Sequence, residues 1–160
     1  MPADSNSQVR TAAVLALCKL MCVSAAYCED NLQLLFSIMI SAPEPEIRSN
    51  IVVALGDMAF RWTNLTEPWM SHIYALLRDK DTQVRHNTLT VLTHLVLNDM
   101  VKVRGQVSEM ALCLEDADER IQDMARLFFA EFKLKQQGML LVSPPQPYTL
   151  IHMYICMYVP

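Results

Sequence analysis

Glycine is nearly missing from this chain, with three in 160 residues. A turn-rich β fold needs many positions able to take positive φ, so composition argues against one. Charge is also sparse, at 19% Asp, Glu, Lys and Arg against 52% hydrophobic residues, which is too apolar for a disordered chain. The formal net charge of −4 supplies no global attraction for nucleic acid. Any DNA contact would need a local basic patch. No run of 18 uncharged apolar residues is present, so a membrane-spanning helix is not supported.

Catalytic signatures are missing too. There is no Gly-rich phosphate loop and no GxSxG-type nucleophile setting. His72, His86, His94 and His152 show no HExxH pairing and no carboxylate at ligand spacing. The five cysteines (Cys18, Cys22, Cys28, Cys113 and Cys156) mostly fall inside apolar helical patterns, where a reduced thiol packs as a small hydrophobe. Cys18 and Cys22 share a helix face, but no second Cys/His pair completes a metal site. Asp57 and Asp99 sit near helix ends and read as caps or turn residues. The expectation is a reduced cytosolic or nuclear protein with no enzymatic activity, no cofactor, no metal and no small-molecule substrate. Near the N-terminus, Arg10, the apolar run from Thr11 to Cys18, and Ser24-Ala25-Ala26 imitate a signal peptide, but Lys19 interrupts the run.

What the chain does contain is a repeat. Ile47-Arg48-Ser49-Asn50 returns as Val84-Arg85-His86-Asn87, 37 residues later. The same ruler finds Val9-Arg10 before and Ile121 after. A period near 37 lies in the range of helical-hairpin solenoids and just below the HEAT/armadillo length. Within the period, Leu35, Ile73 and Met110 occupy equivalent places, as do Met39, Leu77 and Leu114. Aspartates recur at Asp4, Asp79 and Asp116.

In chain order, a first helix is expected over 7–26 with Val9, Ala13, Leu17 and Met21 on one face. It reads as the second helix of a hairpin whose first is absent. The next is expected over 29–41, ended by Pro43 and Pro45, and then one over 46–61 carrying Ile47, Ile51, Leu55 and Ala59. Gly56 costs that helix about 1 kcal/mol, a cost that a close helix crossing would explain. Residues 64–67 read as a turn, and Pro68 opens a helix with Trp69, Ile73, Leu76 and Leu77. Asp81 or Thr82 caps the following helix, which carries Val84, Thr88, Leu92 and Val96. Val107, Met110, Ala111 and Leu114 mark another first helix, and Ile121, Ala125 and Phe129 its partner. The predicted fold is an all-α, HEAT/armadillo-like α-solenoid, right-handed or gently curved, with about three helical hairpins plus one unpaired N-terminal helix over residues 1–132. Residues 133–160 break the pattern: prolines at 144, 145 and 147 precede an uncharged, β-prone stretch that is not expected to belong to the repeats.

Two sets of residues invite a functional reading. Arg48 with Asn50 and Arg85 with Asn87 recur at equivalent positions, which line up along one face of a solenoid. They form either an Arg–Asp ladder, with the Asn bonding the backbone of a neighbouring turn, or a polar stripe that grips an extended partner. Lys102 and Arg104 sit in a connection with no acid between them, beside Gly105, where a DNA phosphate could be met. The acids Glu115, Asp116, Asp118 and Glu119 make the next turn repulsive to DNA.

RSNIVVALGDMAFRWTNLTEPW (48–69), the 84–121 segment with its LTHLVLNDMVKVRGQ run, and NLQLLF (31–36) resemble the HEAT-repeat region of the D2-type non-SMC subunit family of condensin I. The resemblance covers roughly residues 5–131 and fails from about Phe132. It implies a non-catalytic scaffold of a complex that compacts mitotic chromosomes, with kleisin and SMC subunits as partners and duplex DNA as a further one. It implies no membrane partner, and residence in the nucleus and on chromosomes in mitosis and in the cytoplasm in interphase. A HEAT adaptor in transport or trafficking is the alternative that the fold alone leaves open.

Overall fold

A computed structural model describes residues 5–101 and 107–136, the side chains of Ser5 and Gln136 excepted. Among the described residues eight α-helices follow one another: α1 (Ser5–Val23), α2 (Ala25–Ser41), α3 (Pro45–Arg61), α4 (Thr63–Thr66), α5 (Met70–Ala75), α6 (Thr82–Leu97), α7 (Val107–Ala111) and α8 (Glu119–Gln136). Tight 3₁₀ turns extend α5 and α7 on to Arg78 and Glu115. The described residues contain no strand. The fold is an all-α, HEAT-like solenoid. The second helices stack as one layer, α1 on α3, α3 on α6 and α6 on α8, while α2, α5 and α7 form the other layer.

The period shows directly in burial. Leu35, Ile73 and Met110 are all fully buried, and so are Ile51, Leu55, Val84, Thr88, Leu92, Ile121 and Ala125. Burying a Leu or Ile side chain contributes about 1.5–3 kcal/mol each. In this fold most of that burial comes from neighbouring repeats, because a single hairpin leaves its faces open.

Several expected boundaries and faces shift. The first helix ends at Val23, because the Ser24 hydroxyl accepts the Tyr27 N–H and starts α2 four residues earlier than its apolar spacing suggests. Its buried stripe is Val14, Cys18 and Met21, whereas Val9 is 66% exposed. The helix has apolar residues on more than one side, and the packing of α3 selects one of them. Residues 63–66 form a one-turn helix rather than a turn. In the third hairpin Cys113 is buried and Leu114 half-buried, whereas Leu77 is buried in the second; the 3₁₀ turn at Leu112–Glu115 starts one residue earlier in the repeat than that at Leu76–Arg78. Helix α8 continues to Gln136, four residues past the boundary that the pattern suggests.

Gly56 has the crowded neighbour that its cost called for. A Cβ added there would lie 2.9 Å from Val91 Cγ1 of α6. Helix α6 closes with a Schellman arrangement: Asp99 takes φ 56, its N–H donates to the Val96 carbonyl, and the Met100 N–H donates to Leu95.

Candidate partner-binding groove

The connections ahead of α6 and α8 each carry a short acidic motif with two jobs. Asp79 Oδ1 accepts the Asp81 N–H at 2.8 Å, and Asp81 in turn accepts the N–H groups of Gln83 and Val84 at the start of α6. One period later Asp116 accepts the Asp118 N–H at 2.9 Å, and Asp118 accepts the Arg120 N–H. The first aspartate of each motif also receives an arginine from the preceding repeat. Arg48 donates from Nε and Nη2 to the two carboxylate oxygens of Asp79, at 2.8 and 2.9 Å, and Arg85 does the same to Asp116. Both pairs span 31 residues, so they clip one hairpin to the next. The bidentate fork matches the carboxylate, and burial makes the geometry matter: the Arg48 and Asp79 side chains are 6% and 8% exposed.

The same arginines fasten their own hairpin. Arg48 Nη1 donates to the Ala42 and Pro43 carbonyls, and Arg85 Nη1 to Asp79 and Lys80. At the equivalent place in α8 stands Gln122, which keeps the local bond, donating to the Asp116 carbonyl at 2.6 Å, while its oxygen accepts from Arg126 one turn on. At the other end Arg10 reaches Glu44 near the surface instead of a buried aspartate. Asn87 is buried too. Its amide nitrogen donates to Ser49 Oγ at 2.5 Å and its oxygen accepts from Gln83, so its partners are side chains rather than a neighbouring backbone. Among the four ladder residues singled out in the sequence, Asn50 has no hydrogen-bond partner among the described residues, and it is half-buried. Lys102 and Arg104 lie outside the described residues.

These pairs fix the aspartates' titration. Burial pushes the Asp79 carboxyl up, but the Arg48 hydrogen bond, the Asp81 N–H and the Arg48 charge outweigh it and leave it below its ordinary value. The Arg85 hydrogen bond likewise holds Asp116 down. A folded pKa below the unfolded one means that the unfolded chain takes protons first as pH falls. The stabilisation is therefore complete above the ordinary carboxylate value near pH 4 and is lost as pH drops through the lower folded values. Urea midpoints are expected to hold steady between about pH 7 and 5 and to fall below about pH 4, with a shallower acid limb in Asp79→Asn/Asp116→Asn. An acid limb identical in that variant would assign the loss to other groups.

Asn50 opens into a groove of about 900 Å³ between α1, α3 and the start of α6. Leu15, Val53 and Ala54 form its apolar floor. Arg61 stands at the C-terminal end of α3 and Lys19 one turn before the end of α1, with Glu46 and Asp81 at the N-terminal ends of α3 and α6. Asn50 stands between them. Cys18 and Cys22 also border the groove, with burial pushing their thiols up to about 12 and about 11. Thiols that stay protonated at neutral pH are poor nucleophiles and poor metal ligands. No group of three His, Cys, Asp or Glu among the described residues gathers as a metal site. The arrangement is suited to holding a chain, through an apolar floor with polar groups at both ends.

The sequence pattern located the repeated arginines and aspartates separately but not who meets whom. The readable signal was the constant offset of 31 between Arg48 and Asp79 and between Arg85 and Asp116. The groove's Lys19, Glu46 and Arg61 carried no such signal.

A family model described as non-SMC mitotic condensation complex subunit 1 matches residues 46–152, running past Phe132, where the resemblance was expected to fail. The chain is 50% identical over 132 residues, 82% of its length, to Condensin-1 complex subunit CAP-D2 of Arabidopsis thaliana. It is 46% identical over 140 residues to Condensin complex subunit 1 of Homo sapiens and 43% identical over 134 residues to that of Saccharomyces cerevisiae, 88% and 84% of the chain. It spans 9%, 10% and 11% of those three proteins, about a tenth of the length of the curated relatives it matches.

Proposed function

The chain belongs to the non-SMC mitotic condensation complex subunit 1 family, and from that premise we propose that it is a non-catalytic scaffold segment of condensin. It acts by docking other subunits. The observation that carries this reading is identity of 43–50% over more than four-fifths of the chain to proteins that are named condensin subunits. The fold supports it: the Arg–Asp clips hold the stack together, leaving an open groove along one layer.

On this reading the partners are the kleisin and SMC subunits, residues 1–132 form the docking segment, and 133–160 lie outside the repeats. Asn50 faces a partner, while Arg48, Arg85 and Asn87 hold the ladder. Lys102 and Arg104 meet DNA phosphates, and the protein sits on mitotic chromosomes and in the interphase cytoplasm. Recovery by the tagged chain from mitotic cells tests the subunit and DNA assignments together. SMC and kleisin subunits are expected in the eluate of both the wild type and Lys102→Glu/Arg104→Glu. DNA is expected to be reduced in the double variant, with a flatter salt dependence. A folded, monomeric chain that recovers neither subunit would contradict the scaffold role, and equal DNA recovery would remove the phosphate assignment.

A further inference from the structure

We propose that the groove between α1, α3 and α6 seats one extended peptide segment of a partner protein, about seven residues long, with an acidic end, an aliphatic centre and a basic end. This rests on the docking role above and specifies its chemistry. The length follows from the geometry. Glu46 and Arg61 are fifteen residues apart on α3, which at 1.5 Å per residue separates them by about 22 Å. A strand rising about 3.3 Å per residue covers that distance in about seven residues.

The charges follow from what each end leaves unpaired. Lys19 and Arg61 are exposed and have no ion-pair partner among the described residues. Asp57 and Arg61, one turn apart on α3, both act on the Cys22 thiol, the carboxylate more strongly, so with Lys19 this end of the groove carries two cations against one carboxylate. A carboxylate of the partner belongs there. At the far end Glu46 is exposed and unpaired among the described residues, and the Asp81 carboxylate caps α6 beside it. A basic side chain belongs at that end. Between them, Leu15, Val53 and Ala54 offer an apolar floor to aliphatic side chains. Asn50 has both a donor and an acceptor to offer to a peptide unit of the bound chain, as a β-ladder would. A nucleic acid fits poorly, because Glu46, Asp57 and Asp81 put three carboxylates on the same walls.

The test is fluorescence anisotropy with the full 160-residue chain and a labelled octapeptide of two aspartates, four aliphatic residues and two lysines, in that order. Binding is expected to weaken at least tenfold in Lys19→Glu/Arg61→Glu and several-fold in Asn50→Ala. A second octapeptide with lysines at both ends should show the reverse preference, binding the double variant better than the wild type. That gain also shows that the variant is folded. The proposal is overturned if the double variant holds the first octapeptide as tightly as the wild type, if a scrambled peptide with central charges binds equally, or if a short DNA duplex displaces it. Absence of peptide binding with kleisin still recovered from mitotic cells overturns this proposal alone. Peptide binding without kleisin recovery overturns the condensin role alone.

Discussion

Replacing Arg48 with methionine is expected to destabilise the chain by about 3–5 kcal/mol, as breaking a buried ion pair from one side does. Methionine fills much of the same space, so the loss comes mainly from what is left behind. Asp79, 8% exposed at its side chain, keeps its charge in a site that no longer answers it, and the Ala42 and Pro43 carbonyls lose their donor. Arg85→Met should behave alike, because Asp116 is held in the same way. Gln122→Ala should cost only about 1 kcal/mol, since it removes one neutral hydrogen bond to the Asp116 carbonyl and one exposed bond from Arg126, with no buried charge left behind. Adding Asp79→Leu to Arg48→Met should recover part of the loss but not all of it, because Asp79 Oδ1 also accepts the Asp81 N–H ahead of α6. Urea unfolding of the four variants gives these differences. A cost below 1 kcal/mol for Arg48→Met would place the pair with exposed surface bridges and remove it as a clip between hairpins.

Filling Gly56 is the second large effect. Helix propensity alone would reward Gly56→Ala by about 1 kcal/mol. The new methyl, however, would sit 2.9 Å from Val91 Cγ1, and Val91 is buried on a helix where a β-branched side chain has one strongly preferred rotamer. Neither side chain can turn away, so α3 and α6 must separate. A net loss of about 1–3 kcal/mol is expected for Gly56→Ala, and more for Gly56→Leu. Val91→Ala in the same chain should offset the clash, giving a favourable coupling of about 0.5–3 kcal/mol in a double-mutant cycle. Additive costs would mean that the crossing has slack that the distance does not suggest.

The repeat was legible because its period is carried by side chains that must be buried in every copy. Leu35, Ile73 and Met110 can be aligned without knowing what they touch, and all three are fully buried. Gly56 was legible through its cost. The choice of face on α1 was not, because Val9 and Met21 are equally apolar and only the packing of α3 distinguishes them. Cys113 displaced Leu114 from the buried position, and nothing in the residues announces that the 3₁₀ turn there starts one residue earlier than in the second hairpin. The groove was the least legible part. Its floor and its charged ends come from three helices, and Lys19, Asn50 and Arg61 meet only once the layer is stacked.

The most direct test of the central idea, that the stacked second helices form the partner face, is hydrogen exchange of the full chain with and without purified kleisin subunit. Slowed exchange is expected in α1, in α3 and in the first half of α6, with α2 and α5 unchanged. Protection confined to α2 and α5, with α1, α3 and α6 exchanging as before, would contradict it.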